Sequence, residues 1–249
     1  LIPERVGRLS EIEEATGKVT QQQLNLQKEI VHEGEGGFLG FTLTPDYENT
    51  NQAILYHTYM EDGEILNRVI LVERNDSTWK EESVLLEGIP GGRIHNGGRI
   101  KIGPDQKLYV TAGDAGFPEN SQNKTSLAGK ILRMNLDGSI PNDNPFPNSY
   151  VYSYGHRNPQ GLAWNEKGTL YSTEHGQSAH DEINLIEPGK NYGWPVIEGD
   201  ETETGMITPI YHTGEDTWAP SGIDYANGKL YIATLRGSKV RSYDVESGR

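Results

Sequence analysis

Four times along this chain an apolar lead-in runs into a Pro/Asp/Asn/Gly turn and then into a short alternating run centred on a tyrosine. The stretches read LTPDYENTNQAILYHTY (43–59), IGPDQKLYVTAGD (102–114), LAWNEKGTLYSTEHG (162–176) and IDYANGKLYIATLRG (223–237). Their tyrosines, Tyr56, Tyr109, Tyr171 and Tyr231, are spaced by about 53 to 62 residues. A strand-rich unit that recurs at such a period cannot bury its own apolar faces alone. It must stack against copies of itself, which is the arrangement of β-propeller blades with loop insertions. A sandwich would instead place a turn every 8–12 residues with no long-range repeat.

Further alternating runs follow the tyrosine segments and close on Asp-Gly or Asn-Asp turns: GEILNRVILVERND, GKILRMNLDGSI and SKVRSYDVESG. They are expected to be the outer strands of the same units. The one stretch with helix-like capping, SEIEEATGKVTQQQLNLQKEI, carries a glycine in its middle and alternates on both sides, so it reads as strands and a turn. The 30 glycines among 249 residues suit many turns and few helices. The expected fold is all-β, one propeller domain over residues 1–249.

Composition removes several functions. A formal charge of −14 with no Lys/Arg-rich run disfavours nucleic acid and anionic membrane surfaces as partners. The absence of cysteine excludes a disulfide framework, a thiolate metal site and a thiol nucleophile. No apolar stretch is long enough for a helical membrane span, and the opening LIPERVGRLSEIEE lacks the pattern of a signal peptide.

Three places hold residues suited to chemistry. His95 stands between two glycine pairs in GGRIHNGGR, ahead of an expected inner strand, whose ends face the central channel of a propeller. An imidazole there suits a general base, and the glycines read as clearance for a flat ligand. As a lone histidine it reads at least as well as a turn residue bonded to a carbonyl. Arg157 and Asn158 precede Pro159 in YSYGHRNPQGLAW, where an arginine offers a planar fork to carboxylate or carbonyl oxygens, or simply ties strand ends. In TEHGQSAHDEINLIEPGKNYGWP, loop carbonyls at Gly176 and Gln177 with Asp181 and Glu182 nearby are oxygen ligands of the kind calcium accepts. No HExxH pattern points to zinc. Trp79, Trp164 and Trp194 read as packing between blades, with Trp218 open.

Taken in order, GEGGFLGFTLTPDY, HNGGRIKIGPDQKLYVTAGD, GKILRMNLDGSIPNDNPF, SYGHRNPQGLAWN and HDEINLIEPGKNYGWP resemble the glucose/sorbosone dehydrogenase family, soluble PQQ-dependent aldose sugar dehydrogenases on a six-bladed propeller. The resemblance implies that His95 is the catalytic base for the sugar's anomeric hydroxyl and that Arg157 contacts the quinone oxygens. It implies cofactor contacts at Glu35, Asn158, Thr217 and Arg236, with Glu35 standing where the family often has glutamine. It implies a calcium ion on the carbonyls of Gly176 and Gln177, and a second on Glu182 and the Tyr192 carbonyl. It further implies an aldose substrate, an external electron acceptor and a location outside the cytoplasmic membrane. By the same comparison the propeller is incomplete at both ends: residues 1–12 resemble the outer part of a first blade without its inner strands, and a later pair of PQQ-binding arginines has no counterpart. A calcium-dependent propeller lactonase and a non-catalytic carbohydrate-binding propeller are the alternatives.

Overall fold

A computed structural model describes residues 1–236 and 238–249; Gly237, the last residue of the fourth tyrosine segment, lies outside them. The chain opens with a three-stranded antiparallel meander, β1 (Ile2–Glu4), β2 (Arg8–Ile12) and β3 (Val19–Asn25). Two four-residue helices, α1 (Tyr47–Thr50) and α2 (Glu119–Gln122), are the only helices among the described residues. The rest is strand and turn, as the glycine-rich alternating sequence predicts.

Four antiparallel blades follow. The first runs β4 (Phe38–Leu43), β5 (Gln52–Glu61), β6 (Glu64–Asn75) and β7 (Thr78–Pro90). The second is β8 (Ile100–Ile102), β9 (Leu108–Ala112), β10 (Lys130–Met134) and β11 (Val151–Tyr154). The third is β12 (Pro159–Trp164), β13 (Leu170–Glu174), β14 (Glu182–Ile186) and β15 (Tyr211–His212). The fourth has β16 (Pro220–Ala226), β17 (Lys229–Thr234) and β18 (Lys239–Asp244). Each repeat tyrosine lies on the second strand of its blade. β3 pairs in parallel with β7, the outer strand of the first blade. β1 reaches the inner rim, because Arg5 just beyond it accepts the Phe38 N–H at the start of β4.

Strand alternation explains the stacking. Side chains of successive residues point to opposite faces, so a strand packed between two blades is apolar on both. On β5, Leu55 packs with Leu9 of the opening meander while Ile54 and Tyr56 pack with Ile100, Leu108 and Val110 of the second blade. On β9, Tyr109 turns the other way, onto Leu162 and Leu170 of the third. Tyr171 and Ile183 then meet Leu230 and Ile232 of the fourth. Tyr231 breaks the pattern of burial, being 41% exposed.

Antiparallel pairing fixes where chemistry can be gathered. The start of each inner strand lies beside the end of the second strand: Phe38 opposite His57, Pro159 opposite Glu174, Pro220 opposite Thr234. The loops before β4, β8, β12 and β16 therefore share one rim with those after β9, β13 and β17. Register irregularities sit at this end of β4, β12 and β16; such bulges bend a strand and re-aim its side chains.

His57 lies midway along β5 with a fully buried ring whose Nε2 has no partner. Burial pushes its imidazole down from 6.5 to about 4. The unfolded chain thus takes up a proton that the fold refuses, so stability is complete above pH 6.5 and falls as pH drops toward 4. Urea unfolding from pH 7 to pH 4 is expected to show a loss of up to about 3 kcal/mol from this group. In His57→Gln that part of the slope disappears; an unchanged slope would remove His57 as its cause.

Candidate active site

His95 lies in the loop before β8 with φ of 57°, in the left-handed region that a side chain rarely adopts. Its backbone N–H donates to Glu35 Oε2 at 2.7 Å, and Glu35 N–H donates to the Arg93 carbonyl at 2.8 Å. The two loops are thereby zipped together. The imidazole Nδ1 meets Asp114 Oδ1 at 2.7 Å, the ring being 12% exposed and the carboxylate fully buried. Asp114 also accepts the Gly116 N–H at 2.7 Å and the Trp194 indole N–H at 2.9 Å. A carboxylate fixed this way selects the tautomer with its proton on Nδ1 and leaves Nε2 as a proton acceptor.

The glycines around His95 are required by packing: a Cβ on Gly97 would sit 2.6 Å from the Thr111 carbonyl, and one on Gly98 would sit 2.3 Å from the Leu39 Cβ. They let the histidine loop pack against the neighbouring strands, and Gly97 also lines the larger of the two hollows on this rim.

Arg157 and Asn158 are held by Glu174 at the end of β13. Its Oε1 accepts both backbone N–H groups and its Oε2 faces His156 Nδ1 at 2.9 Å. His156 stacks on the Tyr192 ring with centroids 4.8 Å apart. The Arg157 guanidinium lies 5.4 Å above the Trp194 ring and reaches the His175 carbonyl at 3.3 Å, while its buried Nε has no partner. Such an unpaired donor suits an incoming oxygen. Asn158 turns inward, its Oδ1 accepting from Gly97 N and Gln160 Nε2.

Two hollows share the rim. One of about 510 Å³ is walled by Arg5, Glu35, Asn96, Asn158, His175 and Lys239, among others. The other, about 360 Å³, holds His95, Asp114, Arg157, Gln177, Trp194 and Glu198. They border each other across the Glu35–His95 and Arg157–Asn158 pairs. The first has the size of a cofactor pocket and carries basic side chains on its wall, which fits an anionic, flat group such as PQQ. Thr217 and Arg236 line neither: Thr217 Oγ1 donates to the Ser178 carbonyl, and Arg236 N–H to that of Trp218.

Gly176, Glu182 and Tyr192 surround a cavity of about 10 Å³ together with Arg157, Glu174 and Glu198. Burial, followed by the Glu174 charge, raises the Glu182 carboxyl above the usual carboxylate range. No cluster of three His, Cys, Asp or Glu side chains fit to hold a metal exists among the described residues. Hydrogen-bond donors leave the carbonyls of Gly176, Gln177 and Tyr192 free among those residues, so a cation beside Gly176 and Gln177 would rest on carbonyls, and one beside Tyr192 on its carbonyl and carboxylates of the cavity wall, oxygen donors that calcium accepts. Asp181 is otherwise engaged, accepting from the N–H groups of Gly176, Trp218 and Ala219.

Sequence reasoning missed Asp114, Glu174 and the site role of Trp194. The GDAG after the second tyrosine strand and the Glu at the end of the third were the available signals. Trp164 packs between the second and third blades and Trp79 between the first blade and the opening meander, whereas Trp194 donates to Asp114 and lines the histidine hollow.

The glucose/sorbosone dehydrogenase family model matches residues 1–248. The chain is 38% identical over 215 residues to quinoprotein glucose dehydrogenase B of Acinetobacter calcoaceticus, covering 74% of this chain and 45% of that protein. It is 29% identical over 256 residues to aldose sugar dehydrogenase YliI of Escherichia coli, covering 90% of this chain and 69% of that protein. The PQQ-bound form of aldose sugar dehydrogenase from Streptomyces coelicolor superposes with a TM-score of 0.88 at 38% identity, over 98% of this chain and 77% of that one. The chain thus spans less than half the length of the first of these curated relatives, and its all-β architecture is that of the six-bladed propeller aldose sugar dehydrogenases. Over residues 1–248, this chain belongs to the glucose/sorbosone dehydrogenase family.

Proposed function

We propose that the protein oxidises aldoses at the anomeric carbon to lactones, with PQQ and calcium as cofactors, and passes the electrons to an external acceptor outside the cytoplasmic membrane. The observation that carries this reading is the His95–Asp114 pair, set in a hollow shared with Arg157 beside a cavity of cofactor size.

PQQ supplies, when bound, the two-electron acceptor that takes the anomeric hydrogen as hydride. His95 Nε2 takes the anomeric hydroxyl proton, and the resulting imidazolium is stabilised by the buried Asp114 carboxylate. The C–O bond becomes the lactone carbonyl as proton and hydride leave from oxygen and carbon. The Arg157 guanidinium, lying over Trp194 on the wall of the histidine hollow, would bind and polarise a quinone oxygen. Glu35 and Asn158 are proposed cofactor contacts from the wall of the larger hollow; Thr217 and Arg236 line neither hollow and stay candidates through family membership alone. In this reading Glu35 carries a second duty, because its carboxylate already holds the His95 backbone. Calcium would be held by the Gly176 and Gln177 carbonyls, and a second ion by Glu182 with the Tyr192 carbonyl.

Titration of the calcium-loaded full-length protein with PQQ, followed by absorbance, is expected to show saturable binding and then aldose-dependent reduction. His95→Ala should retain binding and lose turnover by about 10²–10⁴-fold. No binding, or turnover unchanged in that variant, would overturn the proposal, and lactone hydrolysis without PQQ would favour a hydrolase. Asp114→Asn keeps the shape of the site but not the charge or the tautomer preference. Its kcat is expected to fall by about 10²–10⁴-fold with KM little changed; steady-state kinetics with the same aldose and a dye acceptor check this.

A further inference from the structure

Asn67 lies on β6, the third strand of the first blade, and lines neither hollow. Its side chain is fully buried and uses both ends. Oδ1 accepts from Thr58 Oγ1 at 2.7 Å, and Nδ2 donates to Asn96 Oδ1 at 3.1 Å. Thr58 Oγ1 accepts in turn the Gly37 N–H at 3.1 Å, in the glycine-rich loop that carries Glu35. Asn96 grips the loop that carries His95: its Oδ1 accepts the Gly92 N–H at 3.0 Å and its Nδ2 donates to the Gly92 carbonyl at 2.7 Å. Its own carbonyl accepts the Tyr56 hydroxyl at 2.9 Å.

We infer that Asn67 is the positioning residue for the catalytic histidine, acting through Asn96 on one loop and through Thr58 on the other. This rests on the reading of His95 as the base. The left-handed backbone of His95 persists only if its surroundings over-determine it. Asn96, the next residue, is pinned on both sides, and the pin ends on Asn67. The close fit confirms where the constraint acts: a Cβ on Gly91 would lie 2.8 Å from Asn67 Nδ2 and 3.1 Å from Asn96 Oδ1, on the bond between them. An amide is suited to this place because one end must accept and the other donate.

The test uses the full-length protein with PQQ and calcium. Asn67→Leu removes both bonds and the longer one from Nδ2 to the Pro90 carbonyl at 3.4 Å, Asn67→Asp keeps the acceptor for Thr58 and loses the donor to Asn96, and Gly91→Ala presses a methyl onto the Asn67–Asn96 bond. In each, kcat is expected to fall roughly 10- to 100-fold, the loss that a misplaced catalytic group produces. KM is expected to stay within about twofold. Hydrogen exchange read by mass spectrometry should accelerate in residues 91–98 and not in 155–160. For Asn67→Asp the 34–37 loop should also stay protected. Unchanged exchange in 91–98, acceleration spread evenly over the chain, or kcat within twofold of the parent would each overturn the inference. If Asn67→Leu does not fold, the other two variants decide. A parent protein without turnover would refute the dehydrogenase reading instead, and the exchange pattern would still test the positioning role.

Discussion

Carboxylates that accept backbone N–H groups hold this rim together. Glu35 receives the N–H of His95, Asp114 that of Gly116, Glu174 those of Arg157 and Asn158, and Asp181 those of Gly176, Trp218 and Ala219. The loops they hold have no ladder of their own, so their N–H groups would otherwise be left unsatisfied at the edge of the core. A charged acceptor makes such bonds stronger than a neutral one would. Two of these clasps also cross between blades, Glu35 reaching the loop before β8 and Asp181 the loop before β16. The blades thus fix the site's shape, and the site's acids help fix the blades.

This arrangement changes how the net charge of −14 is to be understood. From composition it looks unsuited to an anionic cofactor. In the structure several acids on the rim are spent on peptide N–H groups, a histidine ring and an indole, while Arg5, Arg157 and Lys239 line the hollows. Local charge at the cavity wall is therefore not the average charge of the chain. What matters to a bound anion is the nearest side chains, since more distant charges are screened by solvent and salt.

The blade pattern was legible because it depends on period. Tyr56, Tyr109 and Tyr171 alternate with apolar neighbours on strands buried on both faces, and that burial is written locally in each segment. His95, Arg157 and Asn158 were also legible, since each lies in a distinctive stretch just before an inner strand. Asp114 and Trp194 were not: they are 80 residues apart and are joined by one hydrogen bond that no local pattern announces. The packing need for the glycines beside His95 was hidden for the same reason, because the Leu39 and Thr111 atoms that need them glycine come from other strands. Thr217 and Arg236, carried over by resemblance, do not line the larger hollow, whose wall near them is Ala219 and Leu235.

Inner strands of neighbouring blades approach each other closely. A Cβ on Gly40 would lie 2.3 Å from the Gly98 carbonyl, and one on Gly161 would lie 2.6 Å from that of Ser221. Inner strands of adjacent blades therefore touch backbone to backbone where β4 meets the histidine loop and where β12 meets β16. A larger residue at either place would widen the channel and shift the strand starts from which Glu35, His95 and Arg157 hang. The hydrogen bonds among them tolerate only tenths of an ångström before they weaken. The same narrow packing that stacks the blades thus also sets the distances among Glu35, His95 and Arg157.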